Sequence, residues 1–202
     1  GKGTQSAQLV EQLKYRHIST GDLFRAAIKN KTPLGQQAQG YLDKGQLVPD
    51  TVTIGLVKEV LESNKGQHFI LDGFPRNIPQ AEALRALLSD LSLSLDKAIF
   101  LDLPKENLKK RLVGRRVCRQ CGATYHVESM PPKKESICDL CGGEVYQRAD
   151  DKDDVIETRL TVYESNTAPL KDFYKKLGLF RPIDGLGSQD EVYSRLKTEL
   201  KN

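Results

Sequence analysis

The chain of 202 residues contains no long apolar run, no internal repeat and no low-complexity stretch. A membrane-spanning helix needs roughly 18 consecutive apolar residues, and no run approaches that length. No secretory signal is visible at the start of the chain. Aromatic residues make up only 6% of the chain and the net charge is only +4, which disfavours a nucleic-acid-binding surface. We therefore expect a globular cytoplasmic protein without a membrane or nucleic-acid partner.

Cysteine is absent outside residues 118–141, which excludes a secreted protein whose disulfides are spread across the fold. Within that segment two C-x2-C pairs are separated by 16 residues, a spacing typical of structural zinc sites. Two disulfides or four unliganded thiols are the alternatives, and we favour zinc. Four thiolates close such a site, so the nearby His126 is predicted not to be a ligand. The predicted ligands are Cys118, Cys121, Cys138 and Cys141.

Short apolar runs alternate with segments of helical periodicity along most of the chain. This alternation predicts parallel βαβ units, and therefore an α/β fold in which a parallel sheet is flanked by helices in three layers. Residues 117–145 interrupt the rhythm because they are rich in Gly, Pro, Cys and charge, and we interpret them as an insert. The predicted strands are residues 15–19, 69–71, 98–103 and 179–184.

The first residues, Gly1-Lys2-Gly3-Thr4, lie directly before an amphipathic helical pattern. A lysine at a helix N-terminus, where backbone N–H groups are unpaired, favours the binding of an anion. The motif corresponds to the second half of a Walker-type phosphate loop, although a flexible glycine-rich end is the alternative.

Arg25 and Arg76 follow two of the predicted strand ends, where ligands bind in open α/β sheets. Arg111 and Arg115 are four residues apart and are predicted to share one helix face. Guanidinium groups bind phosphate through two hydrogen bonds and keep their charge, although most arginines simply solvate a surface. Together with Lys2, the arginines suit a polyphosphate passing between two nucleotides. They are Arg25, Arg76, Arg111, Arg115, Arg148 and Arg159.

Asp72 and the acidic run at residues 150–154 each have a functional and a structural interpretation. Asp72 ends the second predicted strand and is suited to hold Mg²⁺ through water, although a turn aspartate is the alternative. The acidic run at residues 150–154 is interpreted as a solvated hinge and helix N-terminus. His17 and His68 have no predicted partner, and we interpret both as ordinary structural residues.

Five segments together resemble the adenylate kinase family, in its bacterial type with a long zinc-bearing lid. They are Gly1-Lys2-Gly3-Thr4-Gln5, Ser19-Thr20-Gly21-Asp22, Asp72-Gly73-Phe74-Pro75-Arg76, Gly114-Arg115-Arg116 and Arg148-Ala149-Asp150-Asp151. The resemblance implies the fold of P-loop nucleoside monophosphate kinases and the reaction ATP + AMP = 2 ADP. It also implies a monomer that uses Mg²⁺ with ATP and holds one structural Zn²⁺ in its lid. A kinase for another nucleoside monophosphate and a zinc-ribbon nucleic-acid-binding protein are the alternatives.

The resemblance further implies roles for individual residues. It places ATP against Gly1, Lys2, Gly3, Thr4, Arg115, Thr124, Tyr125 and Gly187. It places AMP against Thr20, Arg25, Gln46, Leu47, Val48, Gly73, Phe74, Pro75, Arg76, Gln80, Arg148 and Arg159, with the Gln80 amide reading the adenine edge. The implied catalytic residues are Lys2, Asp72, Arg76, Arg111, Arg148 and Arg159.

The implied organisation has three parts. A discontinuous core comprises residues 1–19, 63–114 and 153–202. The helical segment (residues 20–62) is the AMP-binding region, and the lid segment (residues 115–152) closes over ATP. In the family a central strand and the front of the phosphate loop precede Gly1. We therefore expect about ten further residues in the natural protein, and poor folding or inactivity without them.

Overall fold

The structure is a computed structural model that describes residues 1–64 and 67–201. The strands in these residues are β1 (Arg16–Ser19), β2 (Phe69–Asp72), β3 (Ala98–Asp102), β4 (Arg115–Cys118), β5 (Thr124–His126), β6 (Val145–Tyr146) and β7 (Phe180–Asp184). The helices are α1 (Lys2–Leu13), α2 (Thr20–Lys29), α3 (Pro33–Asp43), α4 (Asp50–Ser63), α5 (Ile78–Asp90), α6 (Lys105–Val113), α7 (Asp153–Val162), α8 (Leu170–Lys176) and α9 (Gln189–Lys201).

Side-chain caps fix several helix starts. The Ser19 hydroxyl accepts a hydrogen bond from the Asp22 N–H at the start of α2. Before α9, the Ser188 N–H donates to Glu191 Oε2 over 2.7 Å, and the Glu191 N–H donates back to Ser188 Oγ over 3.3 Å. This reciprocal pair is a capping box, whose sequence signature is Ser188 followed three residues later by Glu191. The predicted strands of the α/β body are confirmed to within about two residues, the usual uncertainty of such boundaries.

The parallel strands form two pairs, β1 with β2 and β3 with β7. Within residues 1–64 and 67–201 these pairs are not hydrogen-bonded to each other, whereas the sequence predicts one sheet. A shared apolar cluster nevertheless spans both pairs, because Ile70 of β2, Ile99 of β3 and Ile183 of β7 all pack beneath α1 and α9. The α/β body is therefore continuous across the two pairs.

Side chains alternate between the two faces of these strands, and this alternation defines the layers. Phe69 and Leu71 of β2 pack with α4 and α5, whereas Ile70 between them faces α1 and α9. In β3, Phe100 packs with α5 and α8, on the face opposite Ile99. The strands therefore lie between two helical layers, as predicted for a three-layer α/β fold.

Residues 115–146 form a separate antiparallel sheet in the order β5-β4-β6, which confirms the predicted insert. One prediction at its boundary is wrong, because Arg111 and Arg115 do not share a helix face. Helix α6 ends at Val113, and Arg115 is the first residue of β4. The Gly114 N–H makes the last helical hydrogen bond, to the Lys110 carbonyl, before β4 pairs with β5. Among the described residues, no helix has the length and apolar character needed to cross a bilayer.

Candidate functional site

The turns after β1 and β2 are joined by hydrogen bonds at the carboxyl ends of the strands. The buried Thr20 donates from Oγ1 to the Gly73 carbonyl over 3.1 Å, and Arg76 Nε donates to the same carbonyl over 2.8 Å. Gly73 has φ +77°, and a Cβ there would lie 3.1 Å from Arg76 Nη2. Only glycine fits this conformation and this close approach without strain. Phe74, next in the turn, is buried in the apolar core.

The start of α1 lies beside the end of β2. A Cβ on Gly3 would stand 3.7 Å from Asp72 Oδ2, which brings the Lys2 segment next to that carboxylate. The Lys2 side chain is open to solvent on one side but surrounded by protein on the others, and this desolvation lowers its pKa, while the Asp72 carboxylate opposes the shift. Lys2 therefore belongs to a charged recess at the strand ends.

His17 is the partner of Asp72 that the sequence did not predict. Its Nε2 lies 3.4 Å from Asp72 Oδ2, and this contact raises the pKa of His17. Burial works to raise the pKa of Asp72, but His17 and Lys2 outweigh it, so the net shift is downward. His68 stacks on Tyr15 with ring centroids 5.4 Å apart.

Positive side chains from distant elements surround this recess. Desolvation lowers the pKa of Arg76, and the neighbouring charges of Arg159 and Arg25 lower it further. Desolvation, followed by the charges of Arg25 and Arg115, lowers the pKa of Arg148 to about 10. Arg111 Nη1 donates to the Gly185 carbonyl over 3.2 Å and lies 4.0 Å from the Cβ position of Gly1. The structure thus brings the predicted cations together around one cleft, instead of scattering them over the surface.

Asp151 is a buried centre of this charge network, which contradicts the interpretation of residues 150–154 as wholly solvated. Its side chain is 0% exposed. It accepts two hydrogen bonds from Arg115, at 2.7 and 2.5 Å, and one from Arg159 at 2.7 Å. Asp153 and Asp154 are exposed in the first turn of α7, where the prediction of a solvated helix N-terminus is confirmed. The run has two environments because only its first part turns back toward the arginines.

Asp22 is a second carboxylate among the arginines, and its pairing with Arg148 was not predicted. Its Oδ1 lies 2.6 Å from Arg25 Nη2 and 3.8 Å from Arg148 Nη2. Desolvation acts to raise the pKa of Asp22, but the hydrogen bond from Arg25 and the charges of Arg25 and Arg148 produce a net downward shift. Asp22 therefore stays ionised between two of the predicted phosphate-binding residues.

Gln80 has its amide orientation fixed by its neighbours. Gln80 Nε2 donates to Asp50 Oδ1 over 2.7 Å, while its Oε1 accepts from the Arg76 N–H over 2.8 Å. If the Gln80 amide were turned by 180°, its oxygen would face the Asp50 carboxylate and its NH₂ group would face the Arg76 N–H, so only one orientation fits. Asn77 caps α5 and donates to Asp50 as well. One N–H and one lone pair of Gln80 remain for another partner.

Several other predicted nucleotide contacts lie in different surroundings. Val48 is buried in the core of the helical segment, whereas Gln46 is exposed and Leu47 half-buried in the loop before α4. Thr124 is exposed on β5. Gly187 lies before α9 at φ +103°, where a Cβ would approach Glu191 Oε2 to 2.5 Å.

The Tyr125 side chain is not brought into the cleft. It is buried inside the lid segment, where its hydroxyl lies 3.3 Å from Cys138 Sγ and accepts from the Asp139 N–H over 2.8 Å. The hydroxyl therefore supports the cysteine cluster, a role that the sequence did not predict.

The four cysteines converge as the spacing predicts. All four Sγ atoms lie within 4.8 Å of one another, with Cys118–Cys141 at 3.4 Å and Cys121–Cys138 at 3.5 Å. Tetrahedral thiolates bound to zinc at about 2.3 Å stand about 3.8 Å apart, so the group fits one such ion. The four thiols are free, which removes the alternative of two disulfides.

The surroundings of Cys118 and Cys138 favour the thiolate, the form that binds a metal, whereas neighbouring sulfurs and burial raise the pKa values of Cys121 and Cys141. The hydrogen bond from Tyr125 lowers the pKa of Cys138 to about 6. The backbone N–H groups of Gln120 and Cys121 point at Cys118 Sγ over 3.4 and 3.5 Å. His126 stands apart from the cluster, and its Nδ1 accepts from the Glu128 N–H instead.

Comparisons with known proteins agree with this geometry. A family model described as adenylate kinase matches residues 1–179. The adenylate kinase of Carboxydothermus hydrogenoformans is 54% identical over 202 residues, covering 100% of this chain and 94% of that protein. The adenylate kinase of Thermodesulfovibrio yellowstonii is 52% identical over 199 residues, covering 97% and 92%. That of a Geobacillus species is 50% identical over 201 residues, covering 99% and 93%.

Proposed function

The chain belongs to the adenylate kinase family, whose reaction is ATP + AMP = 2 ADP, and we propose that the cleft around Lys2, Arg76 and Arg159 carries out this phosphoryl transfer. The observation that carries the proposal is the convergence of positive side chains from separate elements on one recess. Each of Lys2, Arg76 and Arg148 has its pKa lowered by burial and by its cationic neighbours. Such mutual repulsion is unfavourable in the free protein and is relieved when polyphosphate binds.

The chemistry of phosphoryl transfer explains why these groups suffice. The second pKa of a phosphate monoester is about 6, so the phosphate of AMP is mostly dianionic at neutral pH and needs no general base. Catalysis therefore consists of aligning the two nucleotides and neutralising the charge of the transferred group. Guanidinium groups can do this at neutral pH because they keep their protons.

In the proposed mechanism, one side of the cleft binds ATP and the other binds AMP. Lys2 reaches the transferring phosphoryl group, and the backbone N–H groups of Gly1 to Thr4 hold the phosphates of ATP, where the helix dipole favours an anion. Arg115, with Thr124 and Tyr125 of β5 and the backbone near Gly187, serves ATP, and Arg111 converges on the phosphates with Arg148 and Arg159. The AMP side comprises Thr20, Arg25, Gln46, Leu47, Val48, Gly73, Phe74, Pro75, Arg76, Gln80, Arg148 and Arg159. The lid segment closes over the nucleotides and excludes water.

Two metal ions are part of the proposal. Adenylate kinases use Mg²⁺ with ATP, and Asp72, kept ionised beside Lys2, is the carboxylate proposed to associate with it. Bound Mg²⁺ neutralises phosphate charge. The four-cysteine group is proposed to hold one Zn²⁺, whose role is structural because four thiolates leave no open position.

This thiol cluster needs a reducing compartment, so we infer a cytoplasmic protein. The proposed sites come from one chain, so a monomer suffices.

A coupled assay of ADP formation tests the proposal. Purified protein is given ATP with AMP, CMP, UMP or GMP, and we expect turnover with AMP and at most weak turnover with the others. Lys2→Met should lower kcat by about 10²- to 10³-fold, the usual effect of removing one group that stabilises transition-state charge. Lys176→Met, which alters an exposed lysine on α8, is the matched control and should behave as the wild type. Equal rates in the two variants would contradict the proposed role of Lys2, and a different preferred acceptor would contradict the AMP assignment.

A further inference from the structure

We propose that Asp151 is a positioning residue that holds the ATP-side Arg115 and the AMP-side Arg159 in a single hydrogen-bonded unit. The inference rests on the proposed function, because it takes Arg115 and Arg159 as ligands of the two nucleotides. It adds a residue that contacts neither substrate and acts through the two arginines.

The geometry of Asp151 is that of a shared acceptor. Arg115 donates from Nε to Asp151 Oδ2 over 2.7 Å and from Nη2 to Oδ1 over 2.5 Å. Arg159 donates from Nη1 to the same Oδ1 over 2.7 Å. The three residues come from β4, from the short helical turn Ala149–Asp151 and from α7. One carboxylate therefore links the two ends of the lid segment to the core.

The position of Asp151 is itself fixed by the backbone. Gln147 Nε2 donates to the Asp151 carbonyl over 2.9 Å and to the Val113 carbonyl over 3.0 Å. This amide bridges the two chain segments that connect the lid segment to the core, one at the end of α6 and the other just before α7. Arg159 also donates to the Asp150 carbonyl over 2.7 Å. The carboxylate is therefore held rigidly enough to aim the arginines bound to it.

Charge explains why a carboxylate is needed at this position. Two guanidinium groups that meet at one oxygen repel each other, and water cannot screen them well because Asp151 is 0% exposed. The negative charge of Asp151 offsets that repulsion. Each arginine uses two of its five N–H groups in the contacts described, so three N–H groups on each remain for phosphate oxygens. Asp151 thus brings the arginines together without occupying all of their donors.

Asp151→Asn separates this role from simple space filling, because asparagine has nearly the same shape. With its oxygen at the Oδ1 position, asparagine can still accept from both arginines, but its NH₂ group then faces the Arg115 Nε–H donor at the Oδ2 position. Arg115 loses that hydrogen bond, and both guanidinium groups lose the negative charge that offsets their repulsion, so they move apart. We expect kcat to fall at least tenfold and the KM values for ATP and AMP both to rise. Asp154→Asn removes the same charge from an exposed position on α7 and should stay within twofold of wild type.

A double-variant cycle with Arg115→Ala provides a readout that a purely structural role would not change. If Asp151 acts through Arg115, adding Asp151→Asn to Arg115→Ala should lower kcat by less than the single Asp151→Asn change does in wild type. Multiplicative losses in kcat would overturn the proposal. All rates are measured below the onset of thermal unfolding recorded for each variant. Should Asp151→Asn fail to fold, Asp151→Glu, which displaces the carboxylate by about one C–C bond, enters the same cycle with the same expectation.

The failure of this inference is distinguishable from the failure of the proposed function. Wild-type protein that forms no ADP from ATP and AMP contradicts the function itself. Active wild-type protein together with an unimpaired Asp151→Asn variant overturns only the role given to Asp151. Active wild type with an impaired variant and a non-multiplicative cycle supports both.

Discussion

The lid segment (residues 115–152) and the helical segment (residues 20–62) are similar in size but differ in what holds them together. The helical segment has an apolar core in which Phe24, Ala38 and Val48 are buried and four further apolar side chains pack around them. In the lid segment, two of the four buried cluster members are the cysteines Cys118 and Cys138. A small sheet with so little apolar area is marginal by itself. If the proposed zinc ion is bound, its cross-link through the thiols takes the place of a hydrophobic core in the lid segment.

Removing one thiol gives the largest expected effect. Cys138→Ser should abolish stoichiometric zinc binding and make the lid segment sensitive to protease well below the unfolding temperature of the core. Substantial activity should survive at low temperature, because the thiols do not contact the nucleotides in the proposed mechanism. Metal analysis and limited proteolysis, with chelator-treated wild type alongside, measure the effect. Normal metal content would contradict the proposed site, and complete loss of turnover with a folded lid would contradict its structural role.

A core truncation in the helical segment tests the other side of the comparison. Phe24 is 3% exposed, and Phe24→Ala should lower the free energy of unfolding by about 3–4 kcal/mol through lost burial and a cavity. Zinc content should not change. Tyr41→Ala, at a partly exposed aromatic on α3, is the matched control and should cost less than about 1 kcal/mol. Urea unfolding with parallel metal analysis checks both. Loss of zinc in Phe24→Ala would show that the two segments are not stabilised independently.

The features predictable from sequence were those with a local cause. The cysteine cluster followed from spacing, and the start of α9 from the capping pair Ser188 and Glu191. Pro169 is a further local signal, because the helical stretch after residue 153 is interrupted ahead of it by a wider turn at Tyr163–Thr167, and α8 begins at Leu170. In such cases the residues that interact are neighbours in sequence, so their chemistry can be inferred without a fold.

The features that were missed depend on which elements meet in three dimensions. Asp151 sits in an acidic run that resembles any solvated hinge, and only the approach of β4 and α7 makes it a buried acceptor. The contact between His17 and Asp72 requires the register of β1 against β2, which pairs Ser19 with Asp72 and leaves His17 on the diagonal. Asp50 likewise meets Gln80 across two helices. Carboxylates close in sequence to predicted arginines were the one signal that could have suggested such pairs.

Tyr125→Phe should weaken the metal site without removing a ligand. The ring remains, but the hydroxyl contacts with Cys138 Sγ and the Asp139 N–H are lost. Groups that support metal ligands typically change affinity by about 10- to 100-fold, and we expect the lower end because the four thiols stay in place. Competition titration with a chelator measures the affinity. Tyr146→Phe is the control, since phenylalanine preserves the ring beneath Arg119. Equal affinities in the two variants would assign no role to the Tyr125 hydroxyl.

The smallest expected effect concerns the charges on the surface of the lid segment. Arg119 Nε and Glu144 Oε2 are 2.7 Å apart, but both side chains are more than half exposed, at 54% and 60%. Exposed pairs of this kind are screened by salt and contribute little. Arg119 also keeps its position over the Tyr146 ring, 4.0 Å from the centroid, when the carboxylate is lost. Glu144→Gln should therefore leave zinc affinity within about twofold of wild type, whereas Tyr125→Phe weakens it further. If Glu144→Gln instead lowered zinc affinity as much as Tyr125→Phe, surface charge would share in the stabilising role that the comparison gives to the thiols.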